Sequence, residues 1–127
     1  MTINEVSKKL DITQDTLRFY EKTGLIGPIR RDKSGYRNYQ EEDLRRIEFV
    51  KCMRGAELSI DVLRTYLRLF DEGDETKEER KELLIKQKKI LDEKISTMQK
   101  ASERLEYKIT LYNNGKLDKY LEKMILV

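Results

Sequence analysis

Gln14, Arg18 and Lys22 recur at every fourth position through a stretch that includes Thr16-Leu17-Arg18-Phe19-Tyr20-Glu21. On a helix that spacing sets one amide and two cations along a single face, while Leu17 and Tyr20 form an apolar side. Such a face is built to touch something. Further on, Arg30, Arg31, Lys33 and Arg37 stand against Asp32 alone and are interleaved with Tyr36 and Tyr39. Cations alternating with tyrosines directly after a helix pair are what phosphate binding requires. The expectation is a DNA-reading helix followed by a basic wing.

The neighbouring residues supply elements that would hold this face in place. Thr2 and Glu5 fit a capping box, and Ile3, Val6 and Leu10 then give a first helix of roughly two turns. Asp11-Ile12-Thr13 makes a corner: Asp tolerates the left-handed backbone, Ile12 plugs the joint and Thr13 caps the second helix. Gly24 stops that helix. Helix, three-residue turn, helix is helix-turn-helix spacing, although ordinary packed core helices share it. From Gly27 to Tyr39 the period changes, which predicts two short strands, Pro28–Arg31 and Tyr36–Tyr39, joined through Asp32-Lys33-Ser34-Gly35.

Glu41-Glu42-Asp43 load the start of a third helix, where the dipole favours negative charge. Leu44, Ile47 and Val50 form its apolar face, widened by Phe49, Cys52 and Met53. Gly55-Ala56-Glu57-Leu58 breaks the pattern. Ser59 and Asp61 then open a fourth helix carrying Ile60, Leu63, Leu67 and Phe70.

After the polar break at Asp71-Glu72-Gly73-Asp74-Glu75, Thr76 and Glu79 fit another capping box, and no Gly or Pro follows until Gly115. Leu84, Leu91, Met98, Leu105 and Tyr112 repeat every seven residues, with Lys88, Ile95, Ser102 and Ile109 as companions. At 1.5 Å per residue the seam is about 55 Å long, which outreaches the preceding domain and calls for a partner helix. The simplest partner is a second copy, with Leu84, Leu91, Ile95, Met98, Leu105, Ile109 and Tyr112 as the interface. The expected organisation is a DNA-binding domain over 1–75, a dimerisation helix over 76–112 and a short amphipathic tail over 113–127. The tail is expected to fold back on the dimer or on the partner's DNA-binding domain.

Composition narrows the functions. The 127 residues make one domain, or one small domain plus an extension; 40% are charged and one is proline, which suits a mainly α chain with a long solvated helix. The net charge of +3 is too small to argue for nucleic acid by itself, so the local patch must. One cysteine and no histidine exclude an intrachain disulfide and a Cys/His zinc site within one chain. They also leave no acid–base pair for an enzyme, and no Gly-rich phosphate loop is present. No metal, cofactor or membrane partner is expected. Without a signal-peptide pattern or a long apolar run, the expectation is a soluble cytoplasmic protein.

In order and spacing, several segments resemble the MerR family of bacterial transcription regulators. They are Thr16 to Glu21, Gly24-Leu25-Ile26, Pro28, Arg30, Gly35-Tyr36-Arg37-Asn38-Tyr39 and Asp43-Leu44-Arg45-Arg46-Ile47, and with the long helix they cover essentially the whole chain. Asp11 and Glu57 depart from the pattern at turn positions where the family often has Gly. The resemblance implies a winged helix-turn-helix domain on each subunit and a homodimer joined by an antiparallel coiled coil. It also implies that the family's mode of action applies: bending and untwisting a promoter whose spacer is too long, for RNA polymerase to use. Carried over, Gln14, Thr16, Arg18, Phe19, Tyr20 and Lys22 are recognition-helix candidates, and Arg30, Arg31, Tyr36 and Arg37 wing contacts. Arg54 is a further phosphate candidate. Tyr20 carries a core reading as well.

Relatives that sense metals place cysteines near the end of the coiled coil, where residues 113–127 have neither cysteine nor histidine. The large ligand domain of multidrug-sensing relatives is not expected in these 127 residues either. Two readings of Cys52 stand: a small buried hydrophobe on the third helix, or the lone sensing cysteine of the branch that responds to aldehydes and other electrophiles. Lys51 and Arg54 would favour a thiolate, whereas Glu48 and the nearby helix C-terminus oppose it. The competing class of function is a coiled-coil interaction module, which would bind DNA weakly and with little salt dependence.

Overall fold

Thr2 opens the first helix, α1 (Ile3–Leu10), as its spacing from Glu5 requires: Thr2 Oγ1 accepts the Glu5 N–H and Glu5 Oε1 accepts the Thr2 N–H, both at 3.2 Å. The computed structural model describes residues 1–115 and 123–124 of the chain. The α-helices that follow α1 are α2 (Gln14–Lys22), α3 (Glu41–Gly55), α4 (Ile60–Glu72) and α5 (Lys77–Asn113), with a 3-10 turn at Asp74–Thr76 before α5. The chain divides into two compact units, Met1–Ile85 and Lys86–Val127.

In the first unit the corner between α1 and α2 forms at Asp11, whose φ of 51° is left-handed. The Ser7 hydroxyl closes it by donating to the Ile12 carbonyl at 2.6 Å, and Thr13 Oγ1 accepts the Thr16 N–H at 3.1 Å to cap α2. Gly24, at φ +78°, then turns the chain back so that the Leu25 and Ile26 N–H groups both reach the Tyr20 carbonyl. Ser59 caps α4 through the Val62 N–H at 3.1 Å. Glu57, the other departure from glycine, also takes a left-handed backbone, with φ 68°.

The core is built from α1 to α4 and the segment between α2 and α3. Val6, Leu17, Leu25, Ile26, Ile47, Val50 and Leu63 are fully or almost fully buried, and Ile29 and Tyr39 bring the two ends of the wing into the same cluster. Burying a side chain of this size contributes about 1.5–3 kcal/mol. The wing is therefore anchored at both ends by the cluster that holds α1 to α4.

Between those anchors the two expected strands do not form. Only an isolated antiparallel bridge joins Arg31 and Arg37, flanked by Asp32 N–H to Tyr36 O (2.8 Å) and Asn38 N–H to Arg30 O (2.7 Å). Asp32 is the cause: its carboxylate accepts the Ser34 and Tyr36 N–H groups at 2.9 and 3.0 Å, folding the tip into a side-chain-stabilised turn in place of a ladder.

The capping box expected at Thr76 and Glu79 is replaced as well. Thr76 is buried in the 3-10 turn, and its hydroxyl is shared between the Leu69 carbonyl at 2.5 Å and the Gly73 carbonyl at 2.9 Å. Arg80 adds a bond to the Gly73 carbonyl at 3.2 Å and lies over the Phe70 ring at 5.2 Å. These links fasten the first turns of α5 to the end of α4.

The helix α5 runs 37 residues, about 55 Å. Along it Leu84, Ile95, Met98, Leu105, Ile109 and Tyr112 are exposed and Leu91 is half-buried. Lys88, at a companion position, pairs with Asp92 at 2.7 Å. The expected tail lies outside the described residues from 116 onward, apart from 123–124. Among the described residues no helix is long and apolar enough to cross a membrane.

Candidate nucleic-acid interface

The outward face of α2 carries the donors in the expected order. Arg18 donates from Nη1 to Asp15 Oδ1 at 3.0 Å and from Nη2 to Gln14 Oε1 at 3.3 Å, while Gln14 Nε2 donates to Asn4 Oδ1 at 3.3 Å. Asp15 is almost wholly exposed, so the ion pair is worth little in water and gives way easily to another acceptor. Lys22 is exposed and Phe19 is 45% exposed, a large apolar surface beside the cations. Thr16 is half-buried, its hydroxyl within 2.7 Å of that of Thr13.

Tyr20 does not belong to this face. At 6% exposure its ring is core, and burial raises its phenol above the ordinary range against the lowering influence of Arg54. The reason is geometric: Tyr20 follows Leu17 at i+3 on the buried side of α2, and its carbonyl is the acceptor on which the turn after the helix closes. It holds α2 to the core from beneath.

On the wing, Arg30 and Arg31 are exposed, and Arg31 Nη1 donates to the Gly35 carbonyl at 2.9 Å across the tip. Tyr36 is 71% exposed. Arg37 is drawn inward, its Nε donating to Glu21 Oε1 at 2.7 Å. Arg54, at the end of α3, donates from Nη1 to the Leu58 carbonyl at 2.8 Å and so closes the turn between α3 and α4. Cys52 is exposed, which does not fit the reading of it as a buried hydrophobe. Its neighbour Lys51 is engaged elsewhere, donating to the Leu10 carbonyl at the C-terminus of α1 at 2.5 Å.

Three polar residues matter here that the spacing of motifs did not single out. Glu21 joins α2 to the wing, Arg64 of α4 lines the same surface groove as Arg18 and Arg37, and Asp71 pairs with Arg46 between α4 and α3. The only sequence signal for Glu21 is a carboxylate on α2 beside an excess of cations in the wing.

A helix-turn-helix with exposed donors on its second helix and an anchored basic wing defines a DNA-binding transcription regulator. The chain belongs to the MerR family. The family of MerR helix-turn-helix regulatory proteins matches residues 1–69, and the MerR DNA-binding family matches residues 44–107. The transcriptional regulator AdhR of Bacillus subtilis is 50% identical over 93 residues, which span 73% of this chain and 66% of AdhR. A MerR family regulator from Listeria monocytogenes superposes with a TM-score of 0.86 at 49% identity, covering 89% of this chain and 86% of that one. The structure of HiNmlR, a MerR family regulator lacking the sensor domain and bound to promoter DNA, matches with a TM-score of 0.80 at 30% identity over 91% of both chains.

Proposed function

We propose that the protein is a homodimeric, sequence-specific transcription regulator that activates a promoter by distorting an overlong spacer. The observation that carries this reading is the grouping of Arg18 and Lys22 from α2 with Arg37 from the wing around one open groove. Cations from two elements around one groove suit a passing phosphate backbone, while Gln14 and Arg18 carry donors that pair bidentately with base edges. The exposed apolar stripe of α5, from Leu84 to Tyr112, supports an antiparallel coiled coil with a second copy. Two reading heads held at a fixed distance fit an inverted repeat, and pulling both half-sites onto the dimer bends and untwists the DNA between them for RNA polymerase.

Cys52 is the residue proposed to receive the signal. Its thiol is exposed on α3, the helix that leads into the turn closed by Arg54, so an adduct there would press on the link between the two helix pairs. An aldehyde or another thiol-reactive electrophile is the chemical class that such a group takes.

The test is in vitro transcription and DNA bending on the promoter upstream of the protein's own gene. Activation with an increased bend supports the reading; binding without any change in bend or transcript rejects spacer distortion. Replacing Cys52 by Ser removes the response to aldehyde or diamide, and an unchanged response rejects the sensing role.

A further inference from the structure

Glu21 lies on α2 at i+3 from Arg18, and both of its carboxylate oxygens are occupied. Oε2 accepts the Ile29 N–H at 3.1 Å, where the chain enters the wing, and Oε1 accepts Arg37 Nε at 2.7 Å, where the chain leaves it. The two side chains are mostly covered, at 18% exposure for Glu21 and 24% for Arg37. That distinguishes this pair from the exposed ion pairs of α2 and α4.

Arg37 spends only its Nε on this contact. Its Nη1 and Nη2 make no hydrogen bond to any described residue. A guanidinium gripped at Nε keeps a fixed plane and presents its other nitrogens as a preorganised fork, the geometry that suits a phosphate. Beside it, Arg18, Lys22 and Arg64 line an open groove of about 680 Å³. The carboxylates paired with Arg18 and Arg64, Asp15 and Asp61, are both exposed, Arg18 bonding Gln14 besides, and Glu21 is already committed. Four cations thus converge on a groove whose single lining carboxylate is satisfied. The groove is open to solvent along the surface, as a backbone passing across it requires.

We propose that this groove seats a DNA phosphate, that Glu21 is the positioning residue that aims Arg37 at it, and that Arg64 of α4 is a second contact to the same stretch of backbone. The proposal rests on the DNA-binding reading above. Through Glu21, the recognition helix and the wing are set relative to each other before DNA arrives, so that base reading by α2 and phosphate binding by the wing occur in one register.

The test exploits a conflict of sign. Glu21→Gln raises the net charge of the protein by one, so if Glu21 contributed only its charge, the variant would bind DNA more tightly. Positioning predicts the opposite. Affinity is measured for the full chain on a duplex carrying the inverted repeat upstream of its own gene and on a random duplex of equal length, each over a range of salt. Glu21→Gln is expected to weaken operator binding on the order of tenfold and to reduce the slope of log affinity against log salt by about 0.9 per subunit, the loss of one phosphate contact. In an Arg37→Ala background, Glu21→Gln should have no further effect. Arg64→Ala should lower the same slope on both duplexes. If circular dichroism shows Glu21→Gln to be unfolded, Arg37→Lys serves instead: it keeps the charge, loses the held fork and is expected to weaken operator binding similarly. Operator binding by Glu21→Gln as tight as the wild type or tighter, or wild-type binding by Arg37→Lys, overturns the positioning role; an unchanged slope for Arg64→Ala overturns the second contact. A wild-type protein that does not prefer its operator refutes the DNA-binding reading itself, and the two failures are thereby distinguished.

Discussion

Phe49 of α3 and Tyr66 of α4 meet with ring centroids 5.4 Å apart and planes inclined by 34°. The separation lies within the range of favourable aromatic contacts, and the pair ties together the second two helices one turn from Cys52. Tyr66→Ala should therefore lower stability by about 2 kcal/mol, since the half-buried ring loses both its partner and its covered area. Urea unfolding checks this. A loss below about 0.5 kcal/mol would mean that α3 and α4 hold together without the ring pair.

Glu21 gives the fold a dependence on acid. Burial alone would raise its carboxyl, but the Arg37 hydrogen bond, the Ile29 N–H and the charges of Arg37 and Arg31 outweigh that and hold it below the ordinary carboxylate range. Because the folded-state value is depressed, the stabilisation is fully present above the unfolded-state value and is lost as pH falls through the lower, folded one. Wild type should then exceed Glu21→Gln in melting temperature at pH 7, and the gap should narrow on acidification below about pH 4. A gap that persists or widens in acid contradicts the ion pair as its source.

The proposed interface divides the labour of binding between Arg18 and Arg31. Arg18 stands on the outward face of α2 with weak, exchangeable partners, whereas Arg31 lies on the wing tip. Arg18→Ala should reduce operator affinity by roughly 1–3 kcal/mol and leave random DNA less affected, while Arg31→Ala should weaken all sequences alike. Competition binding with both duplexes measures the difference. Equal losses for both variants on both duplexes defeat the division.

The stripe on α5 makes a prediction about assembly. Leu105 is 63% exposed and Leu91 half-buried in the single chain, and both fall on the seven-residue repeat. Leu91→Glu combined with Leu105→Glu should convert the protein to a monomer in sedimentation and abolish operator binding, because two half-sites are no longer read together. A variant that remains dimeric rejects this stripe as the interface.

What could be read from the sequence was local. The caps at Thr2, Thr13 and Ser59, the left-handed corner at Asp11 and the stop at Gly24 depend on residues three to five apart, and each pattern specified its element. The wing was harder because Asp32 competes for the backbone N–H groups that a hairpin would use, and composition alone does not decide such a competition. The spacing of Thr76 to Glu79 fits a cap, but carbonyl acceptors at Leu69 and Gly73 take its hydroxyl. Tyr20 lay where the apolar and contact readings overlap, and only packing separated them. Glu21 and Arg37 are sixteen residues apart, with nothing periodic to connect them. The outward placement of the α2 donors follows from their spacing; the carboxylate that bonds Arg37 on the wing does not.

The most direct test of the central claim is the affinity of the purified protein for the inverted repeat upstream of its own gene, measured beside a random duplex as salt is raised. A MerR-type regulator with these contacts should prefer the repeat by about a thousandfold or more, and affinity for both should fall steeply with salt. Equal affinity for the two duplexes, or binding that salt leaves unchanged, would contradict the account.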